Sequence, residues 1–166
     1  PKDAAGNALA TNLPTGANSL DGSKALVIDT TAPAVSSVAI TGATGAQNST
    51  LNVGDVVSVT VTMSEATTVT GTPQLALNIG GTTVQADYAS GSGSTSLVFT
   101  YTIIAGQTDA NGISIAANAL SLNSSTLTDA AGNAATLTHA AVTDNASYMV
   151  DTTAPTVSSV AITGAT

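Results

Sequence analysis

Seven side chains that could bind a metal ion through oxygen stand between apolar, alternating stretches of this sequence. They are Asp29, Glu65, Asp109, Asn111, Asp129, Asn133 and Asp151. Gly112 and Gly132 lie close to two of these acids and let the backbone bend. Hard oxygen ligands on such loops, with no His or Cys beside them, favour Ca²⁺ over zinc or other soft-site metals. The pattern therefore predicts calcium sites, which backbone carbonyls and waters would complete to about six to eight oxygens.

An ordinary turn explains the same residues without any metal. Sequences such as Asp-x-Asn-Gly and Asp-x-x-Gly-Asn form turns by themselves, because Asp and Asn side chains hydrogen-bond the backbone two residues on. Spacing alone does not separate these two interpretations, and both stay open at the level of the sequence.

The distribution of charge favours a cation from solvent. The chain has a net charge of −8, and its only basic residues, Lys2 and Lys24, precede residue 29. Residues 29–150 contain seven acids and neither Lys nor Arg. Carboxylates that cluster there would repel one another unless solvent supplied the counter-charge. The same lack of cations excludes nucleic acid as a partner, since nothing neutralises its phosphates.

Catalysis has little support in the sequence. His139 is the only histidine, and we expect it at the surface or an edge, near the end of a strand. No nucleophile elbow accompanies it, and the absence of cysteine excludes thiol chemistry and a disulfide framework. An internal isopeptide crosslink would need a lysine, which residues 29–150 lack. We therefore expect that this chain is not an enzyme.

A repeated segment indicates the domain organisation. DTTAPAVSSVAITGAT at residues 29–44 returns at 151–166 with one change, Ala34 to Thr156, and DAAGN occurs at 3–7 and again at 129–133. The offset of 122 residues between the DTTAP copies suits a whole domain. The sequence predicts a tandem array: residues 1–28 are the C-terminal part of one repeat, 29–150 a complete repeat, and 151–166 the N-terminal strand of the next.

Alternation of apolar and polar residues dominates the complete unit and predicts β-strands. The apolar positions are Val38 and Ile40; Val57, Val59, Val61 and Met63; Leu75, Leu77 and Ile79; Val84, Ala86 and Tyr88; Leu97, Phe99, Tyr101 and Ile103; Ile113 and Ile115; Leu120 and Leu122; and the run ending at Val150. We expect an all-β sandwich of about seven to nine antiparallel strands, with Phe99 and Tyr101 as its largest core residues. No apolar run approaches the roughly 20 residues of a membrane span, so no membrane insertion is expected in this segment.

The order of several motifs resembles a known family. SEATTVTGTPQLALNIGG, YASGSGSTSLVFTYTIIAGQTDANGISI, LTDAAGNAA and DTTAPTV together resemble the bacterial immunoglobulin-like (cadherin-like) tandem repeats of large secreted or surface adhesins. The resemblance covers nearly all of residues 29–150. It implies an Ig-like Greek-key sandwich and Ca²⁺ near the domain junctions, with Glu65, Asp109, Asp129 and the linker acids Asp29 and Asp151 as ligands, and Asn133 less firmly.

The expected function is mechanical. We expect a structural spacer or stalk repeat of a bacterial cell-surface or secreted adhesin, extracellular and rigidified by Ca²⁺ at its loops and linkers. Its partners would be neighbouring repeats of the same chain. One alternative is an Ig-like module that binds glycan, ice or protein, for example through the rows formed by Thr60 and Thr62 or by Thr100 and Thr102. A second alternative is a self-assembling filament or layer subunit, with head-to-tail association.

Overall fold

The computed structural model describes residues 4–7 and 28–164, and these residues contain ten β-strands and one turn of 3₁₀ helix at Ala146–Tyr148. The strands are β1 (Val35–Thr44), β2 (Thr50–Leu51), β3 (Val56–Thr70), β4 (Gln74–Ile79), β5 (Thr82–Ser90), β6 (Ser94–Thr102), β7 (Thr108–Asp109), β8 (Leu120–Ser121), β9 (Thr126–Thr128) and β10 (Met149–Asp151). Most of the predicted preceding repeat, 1–28, lies outside the described residues. Within the described ranges no helix has the length and apolarity that crossing a membrane requires.

β3 is the longest strand of the larger sheet and pairs with β1, β6 and β9. Its Val57, Val59, Val61 and Met63 are buried, while the Ser and Thr residues between them are half-buried on the opposite face. This is the predicted alternation, and it follows because successive side chains of a strand point to opposite faces. β1 and β6 flank β3 as antiparallel neighbours.

The strands form two sheets. The larger has the order β1-β3-β6-β5-β4-β8, with β9 paired to the far end of β3, and the smaller has the order β2-β10-β7. One hydrophobic core contains side chains from both sheets, including Phe99 and Leu77 of the larger sheet and Leu51 and Val150 of the smaller. The predicted all-β sandwich is confirmed.

Several details differ from the sequence-based expectation. The two-residue strands β2 and β7 were not predicted, because two residues are too short to show a period. β10 pairs parallel with β2, whereas antiparallel pairing was expected throughout. Tyr101 is only half-buried, and its hydroxyl accepts a hydrogen bond from Gln107 Nε2 at 2.9 Å. Leu122 is 39% exposed, beyond the end of β8.

The chain enters and leaves the sandwich at opposite ends of the long strands. Val35, at the start of β1, lies opposite Met63 of β3. At the exit, the Thr152 hydroxyl accepts from the Gly106 N–H at 3.0 Å and donates to the Gln107 carbonyl at 2.8 Å. These loop residues follow β6, which ends opposite the first residue of β3.

Candidate cation site at the entry linker

Three of the predicted ligands come together at the entry end of the sandwich. Each of Asp29, Glu65 and Asp129 offers a carboxylate oxygen, and these oxygens lie within 4.8 Å of one another. Asp29 is exposed, Glu65 is half-buried and Asp129 is buried. We call these three residues the entry cluster.

Glu65 belongs to an irregular part of β3. Regular pairing of β3 with β6 ends at Thr62, and pairing with β9 begins at Thr68. The Glu65 carbonyl accepts a 3.0 Å hydrogen bond from the hydroxyl of Thr67, a fully buried residue that fixes this bend. Glu65 was predicted just beyond the end of a strand, and it instead lies within β3 where that strand changes partners. Such an irregularity changes the direction of a side chain from the one that regular alternation along the strand would give.

Asp129 begins the loop after β9, and Asn133 closes it. One carboxylate oxygen of Asp129 accepts from the Asn133 backbone N–H at 2.8 Å, and the other accepts from Asn133 Nδ2 at 2.7 Å. Gly132 has a φ of +92°, which lets the chain turn back so that both bonds form. The loop thus presents Asp129 in one fixed orientation.

The pKa of Asp129 is lowered from its ordinary value. The side-chain amide of Asn133 is the largest cause, and the backbone N–H groups of Asn133, Gly132 and Ala131 add to it, while burial acts in the opposite direction. Hydrogen bonds donated to a carboxylate favour its charged form. Asp129 is therefore ionised at neutral pH, the state that a metal ligand needs.

Asn133 also ties the linker to this loop. Its Nδ2 lies 3.1 Å from the Asp29 carbonyl oxygen and 3.3 Å from the Thr31 carbonyl oxygen. Asp29 in turn accepts the Thr31 N–H through Oδ1 at 2.9 Å, a local Asx turn. Asn133, a predicted ligand, thus stands beside the entry cluster as a hydrogen-bond donor to the Asp129 carboxylate and to the Asp29 backbone carbonyl.

The linker has further attachments that the sequence did not indicate. The Ser64 N–H donates to the Ala34 carbonyl at 2.7 Å, and the Ala34 N–H donates to the Ser64 hydroxyl at 2.9 Å. On its other side, the Thr136 N–H donates to the Pro33 carbonyl at 2.7 Å. Pro33 itself is buried. Residues 29–34 are consequently held between β3 and the segment that follows the Asp129 loop.

Asp109, predicted as a ligand, lies elsewhere and supports two turns. It is 4% exposed; its Oδ2 accepts from the Gly80 N–H at 2.8 Å and its Oδ1 from the Gly112 N–H at 2.9 Å. Asn111 donates through Nδ2 to Asp144. Among the described residues, the entry cluster is the one group of three or more His, Cys, Asp or Glu side chains close enough together to hold a metal ion. Asp109, Asn111 and Asp151 line a separate cavity.

Asp151 repeats the local structure of Asp29. Its Oδ1 accepts from the Thr153 N–H at 2.9 Å, the same Asx turn at the same distance. Its backbone pairs with Thr108 of β7. Identical DTTAP sequences thus give identical turns at both ends of the unit.

The entry cluster offers oxygen ligands of the kind that hard cations prefer. Three carboxylates within ligand range, with no basic residue in 29–150, give a strongly negative site made of oxygen atoms. These are ligands that suit Ca²⁺. His139, away from any strand, accepts the Ala119 N–H through Nε2 at 2.8 Å and faces the Ala140 carbonyl through Nδ1 at 2.8 Å. Both ring nitrogens are therefore engaged with the backbone.

Comparisons with protein-family models, with curated proteins and with solved structures find no match to this chain.

Proposed function

We propose that this chain is a spacer segment of a tandem array in an extracellular bacterial surface protein, and that Ca²⁺ at the entry cluster stiffens the joint between units. The observation that carries the proposal is the origin of the three carboxylates. Asp29 belongs to the linker, whereas Glu65 and Asp129 belong to the unit that the linker enters. A cation bound by all three would fasten the linker to that unit.

The repeated DTTAP segment supports a joint that is held from both sides. The second copy is attached to the unit it leaves, through Asp151 in β10 and through the two hydrogen bonds of Thr152. The first copy is attached to the unit it enters, through Asn133 and the backbone of Pro33. Because the two copies have one sequence, each joint of an array would combine both sets of contacts.

Such a joint leaves little free chain. At the exit, the contacts involve the first two residues of the DTTAP motif, Asp151 and Thr152. At the entry, they involve its first, third and fifth residues, Asp29, Thr31 and Pro33. Neighbouring units would therefore share a linker of about five residues, four of which make these contacts, and Pro restricts its backbone further. Charge repulsion within the entry cluster opposes this geometry until a cation neutralises it.

The test is the melting temperature of the chain with chelator, with Ca²⁺ and with Na⁺ at equal ionic strength. Ca²⁺ should raise the melting temperature, chelator should reverse the rise, and Na⁺ should not replace Ca²⁺. Glu65→Gln should abolish the response. Asp87→Asn is the matched control, because Asp87 is an exposed acid outside the entry cluster whose partner is Gln74. Identical melting curves in chelator and in Ca²⁺ would overturn the proposed metal site.

A further inference from the structure

Residues 134–145 precede the 3₁₀ turn, and no regular strand lies within them. We call this segment the strap. Its Thr136 forms a β-bridge with the entry linker, and its Val142 forms one with Ile115. Leu137 and Val142 also pack against the hydrophobic core. The strap therefore covers one part of the core and holds the linker at the same time.

His139 fastens the middle of the strap to residues 118–119. The Asn118 N–H donates to the His139 carbonyl at 3.2 Å, and the His139 N–H donates to the Asn118 side-chain oxygen at 3.0 Å. The imidazole makes two further contacts. Its Nε2 accepts from the Ala119 N–H at 2.8 Å, and its Nδ1 lies 2.8 Å from the Ala140 carbonyl oxygen.

The two ring contacts fix the protonation state of the imidazole. A backbone N–H can only donate, so Nε2 must be unprotonated, and a carbonyl oxygen can only accept, so Nδ1 must carry the hydrogen. The neutral ring with its hydrogen on Nδ1 satisfies both contacts. A charged ring carries hydrogen on both nitrogens, and its Nε2–H would then point at the Ala119 N–H. Protonation and this hydrogen bond are therefore incompatible.

We propose that His139 is a pH-sensitive switch: the neutral imidazole holds the strap to residues 118–119, and protonation breaks that contact and loosens the strap. The proton comes from solvent, which reaches the half-buried side chain. The Ala119 N–H then loses its acceptor, while the two hydrogen bonds with Asn118 remain. The loosening is thus local and lies between the two bridges of the strap.

Ionisable groups that could offset the added charge are few around the strap. β9 and residues 113–122, which pair with the strap, contain none. The strap itself contains Asp144, whose carboxylate accepts a hydrogen bond from Asn111. Asp129 precedes the strap, and its carboxylate belongs to the entry cluster. Both nitrogens of the His139 ring contact backbone groups, so the positive charge adds no attraction that would keep the ring in place.

The direction and size of the effect follow from proton linkage. An imidazole released from these contacts takes up a proton near the ordinary value for histidine, about pH 6.5. Because the closed strap binds one proton fewer than the open strap, the closed form loses about tenfold in its equilibrium with the open form for each pH unit below that value. Between about pH 7.5 and about pH 5, a range in which Asp129 stays ionised, the loss should be on the order of 30-fold.

Hydrogen exchange of single amides tests the switch, measured by NMR in chelator and corrected for the intrinsic effect of pH. The Ala119 amide should lose about 30-fold in protection over this range, whereas the Ile103 amide, bonded to the Asp55 carbonyl, should not. His139→Gln is the matched variant, because its side-chain oxygen can accept the same N–H but takes up no proton. Its Ala119 amide should change by less than about threefold. Equal loss in both proteins, or no loss in the unmodified chain, overturns the proposal.

The ring itself gives a second measurement that needs no variant. Because His139 is the only histidine in the chain, ¹⁵N labelling of histidine gives signals from one imidazole. At about pH 7.5 these signals should show the hydrogen on Nδ1 and an unprotonated Nε2; a ring with its hydrogen on Nε2 would contradict the assigned contacts. As the pH falls, the imidazolium signals should increase together with exchange at Ala119. An imidazolium that forms while the Ala119 amide stays protected would show that the ring is not a switch.

Discussion

Replacement of Asp109 by alanine should destabilise the sandwich strongly, whether or not Ca²⁺ is present. Asp109 is 4% exposed, and each of its oxygens accepts one backbone N–H, from Gly80 and from Gly112. Each hydrogen bond to a charged group contributes about 1.5 to 3 kcal/mol. Because Gly80 is exposed, its N–H can hydrogen-bond to water after the substitution, so the lower end of the range applies to this bond. The free energy of unfolding should therefore fall by at least about 3 kcal/mol.

Calorimetry of the chain in chelator and in Ca²⁺ measures this loss. For a unit of this size, 1 kcal/mol shifts the melting temperature by about 4 °C, so Asp109→Ala should melt at least about 12 °C lower. The matched variant Asp29→Asn should behave in the opposite way, with little effect in chelator and a lost response to Ca²⁺. If Asp109→Ala lowered the melting temperature only when Ca²⁺ was present, the reasoning would be refuted, because Asp109 would then act as a Ca²⁺ ligand. A shift below about 3 °C would refute the assigned strength of its hydrogen bonds.

Three further predictions concern the entry cluster and the turn between β4 and β5. In chelator, Glu65→Gln should melt at or slightly above the temperature of the unmodified chain, since it removes repulsion within the cluster; a large decrease would show that Glu65 has a structural role instead. The lowered pKa of Asp129 contributes stability that is complete above about pH 4 and is lost as the pH falls through the depressed folded value. Asn133→Ala should reduce that acid-dependent loss, which melting curves between about pH 2 and 5 would reveal as a flatter profile. Gly80→Ala should cost at least about 1 kcal/mol more than Gly81→Ala, because both have positive φ but only at Gly80 would the new methyl meet the Thr108 carbonyl; equal urea midpoints would contradict this.

The core was predictable because burial along a strand follows a local period. The alternation from Val57 to Met63 is enough to assign their apolar side chains to the inner face, without reference to distant residues. The exposure of Leu122 depends on where β8 ends, and the alternation of apolar and polar residues does not carry that information.

The candidate site was predictable only in part, for the same reason. Asp109 and Asp129 have similar neighbours in the sequence, each with a glycine and an asparagine close by. The fold gives them different partners. Asp109 accepts a hydrogen bond from the N–H of Gly80, 29 residues earlier, whereas the Asp129 carboxylate lies close to those of Glu65 and Asp29. The bridging position of Asn133 likewise depends on Asp29, 104 residues away along the chain.

The antiparallel ladder between β1 and β3 has a mechanical consequence. Because the chain enters beside Met63 and leaves near the opposite end of β3, tension along an array would pull β1 along its own axis. The ladder would then be loaded in shear over a strand of roughly 30 Å, and its hydrogen bonds would share the force instead of opening one after another. Release of β1 would be the first rupture under load, and it would lengthen the chain while most of the core stayed closed.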